Sequence, residues 1–125
     1  MNLLLDTHAL LWWLADDERL SERAREVIAN PANLVFVSAV SGWEISIKHA
    51  LGRLEIDFPL LRNEVENNGF EQLNITFEHG LAAGALPPHH RDPFDRMLVA
   101  QARCEGLILV SSDRCIAAYD VETVW

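Results

Sequence analysis

Asp6, Glu44, Asp95 and Asp113 are the residues of this chain whose type and placement could do chemistry. Asp6 closes the apolar run Asn2-Leu3-Leu4-Leu5, and Asp113 closes Leu107-Ile108-Leu109-Val110-Ser111-Ser112. Both stand where a strand hands over to the next element, while Glu44 and Asp95 lie inside predicted helices. In an open parallel sheet, the crevice outside the carboxyl ends of the strands is where ligands bind. Four carboxylates delivered to one crevice repel one another unless cations neutralise them. The pattern points to a site for a hard divalent cation.

Each acid also has a plainer explanation. Asp6 can cap the helix that follows it, and Asp113 sits in Ser-Ser-Asp-Arg, which is good turn chemistry. Glu44 falls inside the stripe Val40, Trp43, Ile47, Ala50 and Leu51, where helical spacing expects an apolar residue. Its plain alternative is a surface pair with Lys48 at i+4, worth about 0.3–0.5 kcal/mol. That alternative puts Glu44 on a polar face, and the pattern does not; a buried carboxylate needs a partner or a metal. Asp95 shares a face with Leu98, Val99 and Ala102, and its alternative is a capping role at the third helical position, reaching back to Asp92. Asp92 reads as the N-cap, close enough to assist Asp95.

His89 and His90 invite a zinc reading, but no third histidine or cysteine lies at ligand spacing, so they are expected at the mouth of the site with Arg91. Thr7 and Ser112 each adjoin an acid and either hold a metal-bound water or cap a helix. Trp12, Trp13 and Trp43 read as core, since no alternation of basic and aromatic residues suggests a base-stacking platform.

The elements that must position these residues alternate between strand and helix. Residues 2–6 read as a buried strand and 7–14 as a nearly all-apolar helix. Ser21 caps a helix running to about Asn30, and 34–38 form a second strand. Helices follow from about Val40 to Leu51, ended by Gly52, and from Pro59 to Asn68, stopped by Gly69. Phe70 to Ile75 is a third strand, and a helix from Thr76 to Ala83 ends at Gly84. After the rigid loop 86–91, Asp92 caps a helix with Pro93 in its first position, reaching Glu105. Gly106 stops it, and a fourth strand begins at Leu107. Strand–helix alternation without tight hairpin signals argues one parallel sheet flanked by helices.

With 125 residues, half of them apolar, the chain fits a single domain over 1–125 that buries a core without metal or disulfide staples. Cys104 and Cys115 lack a Cys-x-x-Cys spacing, and Met1-Asn2-Leu3 lacks a basic n-region. A reduced, cytoplasmic protein without a signal peptide or membrane span is expected. A net charge of −9 argues against purely electrostatic nucleic-acid binding but not against a metallo-nuclease, and it suits a basic partner.

Four ordered blocks resemble one family. Leu-Leu-Leu-Asp-Thr-His-Ala-Leu-Leu-Trp at 3–12 is similar to the opening of PIN-domain proteins, and Val-Ser-Ala-Val-Ser-Gly-Trp-Glu-Ile at 37–45 to the segment bearing their second acid. His-Arg-Asp-Pro-Phe-Asp-Arg-Met-Leu-Val-Ala-Gln-Ala at 90–102 resembles the third and Leu-Val-Ser-Ser-Asp at 109–113 the fourth. Within the family the likeness is to VapC-type toxins of toxin–antitoxin pairs. It implies a three-layer α/β/α sandwich around a parallel sheet. It also implies a ribonuclease dependent on Mg²⁺ or Mn²⁺ held by Asp6, Glu44, Asp95 and Asp113, a homodimer, and inhibition by a small antitoxin. RNA affinity would then rest on the metal and on Lys48, Arg91, Arg96 and Arg114. The expected chemistry is metal-assisted phosphodiester hydrolysis, with Asp6 and Asp95 as primary ligands. Alternatives are a housekeeping PIN nuclease, a phosphatase using Asp6 as nucleophile, a phospho-receiver and a silent binding module. The phosphatase wants an acid where His8 stands, and the receiver wants a lysine near the last strand, whereas Lys48 is the only lysine.

Overall fold

The computed structural model describes residues 1–125. In chain order the elements are β1 (Asn2–Leu5), α1 (Thr7–Leu14), α2 (Glu22–Ala29), β2 (Leu34–Ser38), α3 (Ala39–Ala50), α4 (Phe58–Asn67), β3 (Glu71–Leu73), α5 (Phe77–Ala85), α6 (Pro93–Glu105), β4 (Ile108–Val110), α7 (Arg114–Ala117) and β5 (Thr123–Val124). The five strands form one sheet in the order β3-β2-β1-β4-β5, every pair parallel. From β1 the chain first builds outward through β2 and β3, then returns to the other side of β1 with β4 and β5. The switch point lies between β1 and β4, where Leu5 pairs with Val110.

Strand alternation divides the core into two layers, because successive side chains point to opposite faces. Leu3, Leu5, Val35, Val37 and Val110 pack with Ala9 and Leu10 of α1, Val27 and Ile28 of α2 and Val65 of α4. Leu4 and Leu109 pack on the other face with Leu98, Val99 and Ala102 of α6 and with Ile116. Leu3, Leu4 and Leu5 are wholly buried, each worth roughly 1.5–3 kcal/mol relative to an exposed side chain. The result is the three-layer α/β/α sandwich expected from the alternation. No helix is long and apolar enough to cross a membrane.

Capping follows the expected chemistry at most ends. Ser21 Oγ accepts the Ala24 N–H at 3.0 Å, and Gly106 ends α6 at φ 66°, a left-handed conformation that suits glycine. Four expectations need correction. The third strand is shorter than 70–75. The helix expected to stop at Gly84 runs through it to Ala85, because neither the space around Gly84 nor its φ demands a break. The short elements α7 and β5 follow Asp113 where only a turn was expected. The buried face of α3 is Val40, Ser41, Glu44 and Ile45, not the stripe through Trp43, Ala50 and Leu51. Trp43 is 59% exposed and rests edge-on against Phe94. The helix is turned by about one residue because α3 must pack on the sheet, α1 and α6 together. Trp12 and Trp13 are half-buried against the core, as expected.

Candidate functional site

The switch point places the acids. Asp6, the residue after β1, donates its backbone N–H to the Val110 carbonyl at 3.1 Å and so stays in register with the end of β4. Its Oδ1 accepts the Ala9 N–H at 2.7 Å, capping α1. Asp113 caps α7 in the same way, with Oδ1 accepting the Cys115 N–H at 2.8 Å. Asp92 caps α6 through Phe94 and Asp95, at 2.8 and 3.2 Å. The plain capping explanations for Asp6 and Asp113 are therefore true, and they leave each carboxylate a second oxygen turned to the crevice. Asp6, Glu44, Asp92, Asp95 and Asp113 line one small pocket with Thr7, His8 and Lys48, and no apolar side chain takes part.

Glu44 enters from α3 and is 4% exposed. Its Oε2 accepts from Lys48 Nζ at 2.6 Å, so the i+4 pair forms as well, with Glu44 inside rather than on a polar face. Its Oε1 is buried without any hydrogen-bond partner. A buried acceptor left unmatched costs on the order of 1–3 kcal/mol, more when charged, and this oxygen is available to a ligand. Asp95 enters from α6 and does not close a capping box. The Asp92 N–H it would have reached donates instead to His90 Nδ1, at 3.2 Å.

The electrostatics agree. Burial pushes the Asp6 carboxyl above its ordinary value, against the hydrogen bonds from Ser111 and Ala9 and the attraction of His8. Burial, then the Asp92 charge, push Asp95 up to about 7; His90 opposes this, and Asp6 and Glu44 add to it. Burial also works to raise Asp113, but hydrogen bonds from His90, Cys115 and Ile116 hold it below the usual carboxylate range. Two carboxyls pushed up by burial and by neighbouring acids are what a pocket needing positive charge looks like. An all-oxygen donor set of carboxylates suits Mg²⁺ or Mn²⁺ rather than a soft metal.

The structure brings together all four acids named from sequence, and it brings His90 with them. His90 Nε2 lies 3.0 Å from Asp95 Oδ2 and 2.9 Å from Asp113 Oδ2, inside the cluster rather than at its mouth. No periodic signal could have placed it, because it belongs to a loop. His89 stacks edge-on against Tyr119 away from the acids. Of the two hydroxyls named, Thr7 Oγ1 is spent on Ser41 Oγ at 2.9 Å, and Ser112 is exposed. Ser111, beside Ser112 on the other side from Asp113, holds both Asp6 and the Asp113 N–H. Arg96 is committed to the carbonyls of Ala83, Leu86 and Pro87, so of the four cations named for RNA only Arg91 and Arg114 stand exposed and unpaired.

A cavity of about 700 Å³ lies beside this pocket rather than at it. It is an apolar groove between α1 and α4 with Leu11, Trp12, Leu54, Ile56 and Leu61 on its walls, and it shares His8 and Lys48 with the acid pocket.

Comparison with known proteins agrees with this architecture. The PIN domain family model matches residues 3–122. Ribonuclease VapC22 of Mycobacterium tuberculosis is 31% identical over 121 residues, spanning 94% of this chain and 92% of its own. The crystal structure of VapBC2 from Rickettsia felis bound to a DNA fragment from its promoter superposes with a TM-score of 0.69 at 11% identity, over 99% of this chain and 98% of that one. DNA-bound VapBC from Salmonella typhimurium gives 0.69 at 16% identity, over 99% and 97%. At such identities the superpositions speak for the fold; the family rests on the sequence matches. With its acids gathered at the β1–β4 switch point and the family model covering nearly its full length, the chain belongs to the PIN domain family.

Proposed function

We propose that the protein is a divalent-metal-dependent endoribonuclease, the toxin of a toxin–antitoxin pair, acting in the cytoplasm. The observation that carries this reading is the unmatched, buried Oε1 of Glu44 in a pocket lined only by polar side chains, four of them aspartates. The sequence relative named a ribonuclease supports the substrate class.

Asp6, Glu44, Asp95 and Asp113 would hold Mg²⁺ or Mn²⁺, with Asp6 and Asp95 as primary ligands. When bound, the cation supplies Lewis-acid polarisation of the phosphodiester and eases deprotonation of water. The chain's own part is placement. Helix caps fix one oxygen each of Asp6 and Asp113, and the Lys48 ammonium fixes Oε2 of Glu44 and leaves Oε1 free to bind. Exposed Arg91 and Arg114 flank the site and can meet RNA phosphates, partly offsetting a net charge of −9 that otherwise repels them.

The partner would be a small antitoxin with a basic amphipathic segment. The groove between α1 and α4 suits the apolar face of such a helix, and its boundary at His8 and Lys48 lets a basic residue extend into the acid pocket. Exposed Phe77 and Leu81, one turn apart on α5, offer apolar surface for a homodimer.

The test is cleavage of single-stranded RNA by the purified full chain with Mg²⁺ or Mn²⁺. Activity should vanish with EDTA and in Asp6→Asn. Cleavage that persists in EDTA would refute the metal reading, and no cleavage of any RNA with either ion would refute the nuclease. If the adjacent reading frame encodes no small binding protein and expression leaves growth unaffected, the toxin reading gives way to a housekeeping nuclease.

A further inference from the structure

His90 stands among the acids, yet the loop before α6 sets its position. Its backbone N–H donates to Tyr119 Oη at 2.9 Å, and that hydroxyl donates to the Pro87 carbonyl at 2.7 Å. Arg96 Nη1 donates to the same hydroxyl at 3.2 Å and to Pro87 O at 3.0 Å. Its Nη2 holds the Ala83 and Leu86 carbonyls at 2.9 and 3.0 Å. The guanidinium fork thus straps residues 86–90 to α6, and the imidazole hangs from a fixed backbone.

The ring is also oriented from its far side. Nδ1 accepts the Asp92 N–H at 3.2 Å, and a ring nitrogen that accepts carries no proton. The ring hydrogen therefore sits on Nε2, the nitrogen 3.0 Å from Asp95 Oδ2 and 2.9 Å from Asp113 Oδ2. One N–H reaches two carboxylates from different elements, α6 and the cap of α7. Asp113 Oδ1 is already held by Cys115 N–H, so both of its oxygens are fixed. The same tautomer removes the ring as a ligand. A ring nitrogen of His90, an Asp113 oxygen and Cys115 Sγ lie within 4.8 Å of one another, but a protonated Nε2 offers a metal no lone pair and that of Nδ1 is taken by the Asp92 N–H.

We propose that His90 is a positioning residue: its Nε2–H bridges Asp95 and Asp113 and keeps the two carboxylates turned to one pocket before a cation arrives. The inference rests on reading the pocket as a cation site. Groups that orient metal-binding side chains typically change metal affinity 10- to 100-fold when removed.

The test uses the full-length protein and Mn²⁺ alone as probe. Imidazole ¹⁵N shifts of the metal-free wild type should show Nε2 protonated and Nδ1 bare. Calorimetry should show His90→Ala binding Mn²⁺ about 10- to 100-fold more weakly. His90→Gln, whose amide keeps an N–H donor, should recover most of that loss. RNA cleavage by His90→Ala should need more Mn²⁺ but approach the wild-type kcat at saturation, which a group touching the reacting atoms would not allow.

A proton on Nδ1, wild-type Mn²⁺ affinity in the alanine variant, or no recovery with glutamine would each overturn the bridge. So would a kcat that stays low at saturating Mn²⁺. Should His90→Ala fail to fold, the wild-type ring shifts and the glutamine variant decide. A wild type that binds no Mn²⁺ overturns the metallo-nuclease reading as well. A wild type that binds it, beside an alanine variant that binds it equally, overturns this inference alone.

Discussion

The turn between α1 and α2 and the crevice at the ends of β1 and β4 are both rich in aspartate, and they treat it in opposite ways. In the turn, Asp17 accepts the backbone N–H and Nε of Arg19 at one oxygen and its Nη2 at the other, at 2.9, 3.1 and 2.8 Å. Those hydrogen bonds hold the Asp17 carboxyl down at about 2. Asp16 beside it meets Arg25 at 2.6 Å. Each aspartate of the turn has its own arginine. In the crevice, five acids share Lys48 and two histidines, His8 and His90, Asp6 and Asp95 are pushed upward, and an oxygen of Glu44 has no hydrogen-bond partner. The turn matches each aspartate with a guanidinium of its own; the crevice crowds its acids together and leaves a Glu44 oxygen unmatched.

The largest effect that can break this contrast is on activity. Asp6→Asn keeps the shape of the side chain and most of its capping but removes a charge from the pocket. RNA cleavage should fall by about 1000-fold or more, since several kcal/mol of transition-state stabilisation go with the cation. The metal-free variant should melt slightly higher than wild type, because mutual repulsion in the pocket drops. Wild-type turnover by pure Asp6→Asn protein would remove Asp6 from the site.

Next in size is stabilisation by metal. A ligand that binds only the folded state at 100 times its Kd adds about 2.7 kcal/mol, so Mg²⁺ or Mn²⁺ should raise Tm by several degrees. The rise should shrink in Asp95→Asn and be nearly unchanged in Asp92→Asn, which retains a side-chain oxygen to cap α6. Equal losses in both would mean that Asp92 shares the cation.

A smaller effect separates the two regions by pH. Folded Asp95, at about 7, keeps a proton that the unfolded chain releases near its ordinary 3.8. The folded state thus binds more protons in that window, and metal-free stability should fall as pH rises from about 4 to 7. Melting scans across this range should show the slope in wild type and a weaker one in Asp95→Asn. A flat wild-type profile would contradict the buried, crowded environment assigned to Asp95.

Smallest of all is the turn. Asp17 pairs with an exposed Arg19 in a surface turn, so Asp17→Asn should leave cleavage untouched and lower Tm slightly, an effect that fades in high salt. Because its carboxyl is held down, its contribution exists above the unfolded value and is lost as pH falls towards 2, the reverse of Asp95. A loss of cleavage in this variant would show that the turn is coupled to the site.

Sequence by itself determined the strand–helix alternation and the residues that end each main strand. The period of apolar side chains and the preferences of caps act over a few residues and need no distant partner. Hence β1, β2, β4 and the capped starts of α2 and α6 were legible, and with them Asp6, Glu44, Asp95 and Asp113 as one candidate set. Only the tertiary structure decided which face of each helix turned inward. Glu44 is buried, as its place in the helix suggested, but Trp43 beside it is not, because α3 answers to three packing neighbours at once. Nor could local pattern reveal β5, whose two residues gain strand geometry only by pairing with β4. His90 makes the point most sharply. Its loop has no periodicity, and it reaches Asp95 and Asp113 only because Arg96 and Tyr119, 6 and 29 residues further along the chain, fix the backbone from which it hangs.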